Sequence, residues 1–96
     1  MSLSIDPDSV EDTLADLVRI DSTNPALGAD ERGAGEAELA AYIADRMHDI
    51  GLEVNQWKPV PGRPNVVGVL PGSGTGRSLM WNAHTDTVGV DGMDAP

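Results

Sequence analysis

Apolar residues recur at helical spacing in the first half of the chain, then fall in short runs broken by proline and glycine. Val10, Leu14, Leu17 and Val18 share one stripe behind Asp6-Pro7, a capping residue and a first-turn proline, and predict a helix from about Pro7 to Ile20. Asp21-Ser22-Thr23-Asn24-Pro25 has turn chemistry, and Gly28 to Gly35 continues it as a polar loop. A second helix begins near Gly35, with acidic Glu36 and Glu38 in its first turn, an apolar stripe of Leu39, Ile43, Met47 and Ile50, and Gly51 as its C′ residue. Leu52 to Trp57 then reads as a strand, Pro59 to Pro64 as a loop, Asn65 to Leu70 as a second strand and Arg77 to His84 as a third.

Val66, Val67, Val69 and Leu70 are apolar on both faces, which predicts a sheet covered by helices on both sides. The expected class is α/β: two helices, then three strands, in a layered arrangement with no internal boundary. Pro71 to Gly76 is rich in glycine but lacks the lysine of a phosphate cradle and opens no helix, so it is expected to be a hairpin turn. A third strand buried on both faces should feed a crossover, yet Gly89 to Pro96 reads as a loop. The sequence is therefore expected to be cut short.

Composition narrows the chemistry. The chain has no phenylalanine, and Tyr42, Trp57 and Trp81 are its only aromatics, so aliphatic residues must form the core. Sixteen acidic against six basic residues give a formal charge of −10, which repels nucleic acid and anionic membranes. No uninterrupted apolar stretch approaches the length of a membrane span, and a cytoplasmic location is expected. With no cysteine, histidine and carboxylates are the only strong metal ligands.

His84-Thr85-Asp86 closes the apolar run Leu79-Met80-Trp81. Residues two apart on a strand share a face, so the imidazole and the carboxylate can meet, with Asn82 beside them. A zinc-bound histidine usually gives its second ring N–H to such a carboxylate, and ligands in α/β sheets gather at the carboxyl ends of strands. A hydrogen-bonded surface pair fits the same triplet. His48, in the last turn of the second helix, suits the helix dipole, and Asp91 and Asp94 suit turns as well as ligation. Trp81 is expected to pack against a helix.

Asp21-Ser22-Thr23-Asn24-Pro25, Asn65-Val66-Val67-Gly68, and Asn82-Ala83-His84-Thr85-Asp86-Thr87-Val88 followed by Gly92-Met93-Asp94-Ala95-Pro96 occur in this order over nearly the whole chain. Together they resemble the start of the zinc-dependent acetylornithine deacetylase, succinyl-diaminopimelate desuccinylase, aminoacylase and carboxypeptidase family. The resemblance implies that His84 ligates one of two zinc ions, cobalt or manganese being alternatives, and that Asp86 orients it. It also implies that a bridging aspartate, a glutamate pair supplying the general base, a further carboxylate, a distal histidine and a lid and dimerisation domain lie beyond Pro96. The complete enzyme would be a homodimer in which metal-activated water cleaves the amide of an N-acyl amino acid or short peptide. These 96 residues alone would be inactive. A small non-catalytic α/β interaction module and a mononuclear phosphoesterase using His84 and Asp86 are the competing readings.

Overall fold

The computed structural model describes residues 4–24, 35–90 and 92–94. Pro25, the predicted loop from Gly28 up to Gly35, Asp91, Ala95 and Pro96 lie outside that set. Two helices precede two strands in the order α1 (Pro7–Arg19), α2 (Gly35–Asp49), β1 (Glu53–Val60) and β2 (Arg63–Val69), an α/β arrangement.

Each helix is bounded by the residues that the sequence marks. Asp6 caps α1 by accepting the Asp8 N–H at 3.0 Å, and Pro7 occupies the first turn, where a missing N–H costs nothing. Beyond α2, Gly51 takes a positive φ of 92° and donates to His48 O at 3.0 Å, while Leu52 N–H reaches Met47 O at 3.0 Å. This pair of bonds closes the helix in a Schellman motif.

The strands form one antiparallel hairpin, with Glu53 opposite Val69 and Trp57 opposite Asn65. The expected Pro59–Pro64 loop contracts to Pro61-Gly62, where Gly62 has a φ of 78° and a register shift between Trp57 and Val60 absorbs the mismatch. In a two-stranded sheet each strand has an outer edge, which tolerates Pro59 and Pro64.

Alternation places Val54, Val66 and Gly68 on one face, and Gly68 lies directly under Met47 and Leu52, so this face carries α2. Leu39, Ala40 and Ala44 of α2 are buried there. Trp57 and Val69 on the opposite face are exposed, so helix cover is found on one side among the described residues rather than on both. Helix α1 buries no residue. It is tied to α2 by Tyr42 Oη donating to Asp16 Oδ2 at 2.9 Å and by an Arg46–Thr13 contact at 3.4 Å.

Among the described residues the expected third strand does not form: Arg77 to His84 pairs with neither hairpin edge, and Trp81, expected against a helix, is 90% exposed. An apolar run has the composition of a buried strand, but a strand exists only where a ladder of partner N–H and C=O groups meets it. Pro71 to Gly76 therefore joins no two strands and is not a hairpin turn. No described helix is long and apolar enough to cross a membrane.

Candidate functional site

Segment 84–87 meets the loop after α1. Asn24 N–H donates to Thr87 O at 2.8 Å and Thr87 N–H donates to Ser22 O at 3.0 Å, making an isolated parallel bridge between Thr23 and Thr87. The loop has its own reason to hold this shape. Asp21 Oδ1 accepts both the Thr23 N–H at 3.1 Å and the Thr23 hydroxyl at 2.6 Å, and Ser22 and Thr23 are buried. Short polar side chains that bond their own backbone two residues on fix such turns.

His84 and Asp86 are brought together, although not by strand alternation. His84 Nδ1 lies 2.7 Å from the Asp86 backbone carbonyl and 3.2 Å from Asp86 Oδ1. Both oxygens only accept, so Nδ1 is the donor in these contacts and Nε2 takes part in neither. The His84 side chain is 83% exposed and that of Asp86 is 29% exposed, so the ring stands at the surface above a partly sheltered carboxylate.

Two residues that the sequence reading did not single out complete the arrangement. Asn24 Nδ2 donates to Asp86 Oδ2 at 2.7 Å, and the Arg63 guanidinium lies 4.0 Å from the same oxygen. Arg63 is itself held by Glu36, with Nε to Oε2 at 2.8 Å and an Nη2 bond to Oε1 at 3.1 Å. Glu36, read from the sequence as a dipole-matching acid, is only 5% exposed. The fork geometry of this pair makes it the strong, directional kind of ion pair. Charge and hydrogen bonding set the acidity of the site. The Asn24 amide, opposed by partial burial and helped by Asp86's own N–H and the His84 and Arg63 charges, holds the Asp86 carboxyl below its ordinary range. Glu36 raises the Arg63 guanidinium above its already high value.

The other sequence candidates do not join this cluster. Asn82 is exposed outside any strand, His48 is exposed at the end of α2, Asp94 is exposed near the C-terminus, and Asp91 is outside the described residues. A catalytic zinc takes about three protein ligands. Among the described residues no three His, Asp or Glu side chains converge to hold an ion. The donor set thus fits one ligand, His84 Nε2, and not a complete metal centre.

Against known proteins, the chain is 40% identical over 57 residues to N-formyl-4-amino-5-aminomethyl-2-methylpyrimidine deformylase of Halalkalibacterium halodurans, a match covering 57% of this chain and 13% of that protein. It is 35% identical over 54 residues to the protein of the same name from Bacillus subtilis, covering 54% of this chain and again 13% of the relative. The chain therefore spans a small part of the length of the curated relatives it matches. Their name describes removal of a formyl group from an N-formyl compound. No protein-family profile matches, and no solved structure does.

Proposed function

We propose that this chain is the N-terminal part of the catalytic domain of a metal-dependent amide hydrolase acting on small N-acyl compounds. N-acyl amino acids such as N-acetylornithine or N-succinyl-diaminopimelate, and short peptides, are the substrate class that the family resemblance adds. The observation that carries the reading is the His84–Asp86 arrangement, with Nδ1 engaged by Asp86 and Nε2 outside both contacts on an exposed ring. The deformylase similarity supports it independently, because deformylation of an N-formyl amine is amide hydrolysis.

His84 would hold a zinc ion through Nε2, together with ligands from outside the described residues. A bound zinc would lower the pKa of water and polarise the amide carbonyl. Within this chain, Asp86 engages Nδ1 through its backbone carbonyl and its carboxylate, which orients the ring so that Nε2 is the nitrogen left for a metal. The test is hydrolysis of N-formyl and N-acetyl amino acids by the protein expressed from its own gene, with metal content measured alongside. Wild-type protein should release the acid product with bound zinc, cobalt or manganese, and His84→Ala should lose both metal and turnover with its circular dichroism unchanged. Full turnover in folded His84→Ala removes the reading.

An interaction module is the second reading, and the exposed run Leu79-Met80-Trp81 favours it. A stable, zinc-free monomer in light scattering, with no hydrolysis by the gene's product, would select it.

A further inference from the structure

Asp86 is approached by residues from three separate parts of the chain. Its Oδ1 lies 3.2 Å from His84 Nδ1, while its Oδ2 receives the Asn24 amide at 2.7 Å and lies 4.0 Å from the Arg63 guanidinium. The geometry points to Asn24, seconded by Arg63, as the positioning residue that sets the ring tautomer and direction of His84 by fixing the Asp86 carboxylate. The inference rests on the hydrolase reading for its purpose, delivery of the Nε2 lone pair to a metal, and not for its test.

Three features single out Asn24. The orientation of its amide is determined, because only the NH2 end can bond a carboxylate oxygen. Its backbone is pinned to Thr87, the residue after Asp86, so the amide is aimed from a fixed base. Arg63 is bonded to the buried Glu36 through two nitrogens and cannot swing fully onto Asp86, which leaves Asn24 as the shorter contact to Oδ2.

The exposed His84 ring has little packing to restrain it. Its direction is therefore set by polar contacts, and the one from the side chain of Asp86 lasts only while that carboxylate is held. With Oδ2 committed to Asn24, Oδ1 stays on Nδ1. Without the Asn24 amide the carboxylate can rotate about its Cα–Cβ and Cβ–Cγ bonds, and one of the two acceptors on Nδ1 leaves.

The experiment is two-bond 15N–1H correlation on histidine-labelled protein at about pH 8.5, where an ordinary imidazole is neutral, with His84→Gln identifying the His84 signals. Wild-type protein should show the Nδ1–H form. Asn24→Asp, nearly isosteric, replaces the donor with a like charge and should give a mixture of tautomers where the wild type shows one. The amide signals of Asn24 and Thr87 report whether the bridge is intact in wild type, and that of Thr87 does so in the variant. A merely structural role would lower stability yet leave the tautomer of the folded protein unchanged, so a folded Asn24→Asp with the wild-type pattern overturns the inference, as does an Nε2–H form in wild type. Should Asn24→Asp unfold the chain, Asn24→Ala carries the same comparison, with the same two results deciding it. Failure of the hydrolase reading would appear elsewhere, as wild-type protein without metal-dependent turnover but with the Nδ1–H tautomer.

Discussion

The carbonyl oxygen of Asp21 sits 1.4 Å from where a β-carbon on Gly35 would lie. The start of α2 is thus pressed against the backbone of the loop that carries Ser22, Thr23 and Asn24, and no residue larger than glycine fits the approach. Because the obstructing atom is backbone, relief requires the helix and loop to separate. Gly35→Ala should destabilise by roughly 3 kcal/mol, the upper range of ordinary overpacking. Gly68→Ala meets the ends of the Met47 and Leu52 side chains at 2.7 and 2.8 Å, which can yield, so its cost should be nearer 1 kcal/mol. Urea denaturation of the two variants orders them, and an equal or reversed order contradicts the rigid helix–loop contact.

Arg63→Met strips the buried Glu36 carboxylate of both guanidinium bonds. An uncompensated buried charge costs more than an absent pair. Arg63 is 38% exposed and water can partly replace it, so a Tm drop of roughly 4–8 °C is expected, the size of a single moderate lesion in a domain this small. The double variant Glu36→Leu with Arg63→Met should melt above Arg63→Met alone. If the two losses simply add, the pair is not acting as a unit.

Trp81 should report its surroundings directly. At 90% exposure it is expected to emit at long wavelength and to be quenched by iodide, whereas Trp57, about half exposed on the hairpin, should be quenched less. Comparing Trp57→Phe with Trp81→Phe separates the two signals. A blue-shifted, protected Trp81 would mean that the run from Leu79 is covered in solution.

These three outcomes turn on features of differing legibility. Helix α2 was readable because its caps and stripe are local: Glu36 and Glu38 in the first turn, Gly51 after the last. The hairpin strands were readable too, but not the tightness of Pro61-Gly62, because prolines that forbid a central strand are harmless at a sheet edge. The strand expected over Arg77 to His84 does not form, because composition does not reveal whether a neighbour offers its ladder. At the site, proximity of His84 and Asp86 followed from their spacing, although a bond to the backbone carbonyl of Asp86, not alternation, delivers it. Asn24 lies 62 residues from Asp86 and Glu36 lies 27 from Arg63, and no local pattern encodes such pairings. The signal available was the unsaturated chemistry itself: a glutamate on the buried side of α2 requires a cation.

The pH dependence of the site has a definite sign. Asp86 titrates below its ordinary value chiefly because of the Asn24 amide, so the folded state binds the proton less readily than the unfolded chain. Its contribution to stability is present above the unfolded carboxyl pKa of about 3.9 and disappears as pH falls through the lower, folded value. A carbon-detected titration of the Asp86 carboxyl should have its midpoint below about 3.9, and Asn24→Ala should move it upward. A midpoint at or above the free value would contradict the hydrogen bond.

Asp86→Asn tests the proposed ligand chemistry with the least change in shape. The carbonyl of an asparagine can still accept from His84 Nδ1, and the backbone carbonyl at 2.7 Å remains, so the ring keeps a partner. What is lost is charge: Nδ1 faces a neutral amide instead of a carboxylate, and the Asn24 amide now faces either a neutral oxygen or another NH2 group. In the protein expressed from its gene, metal affinity or turnover should fall about 10- to 100-fold with the fold intact. Because Arg63 also loses its nearby anion but retains Glu36, stability should change little compared with Arg63→Met. A folded Asp86→Asn protein with wild-type zinc affinity and turnover would strip Asp86 of its orienting role, and a large loss of stability would assign it to the scaffold instead.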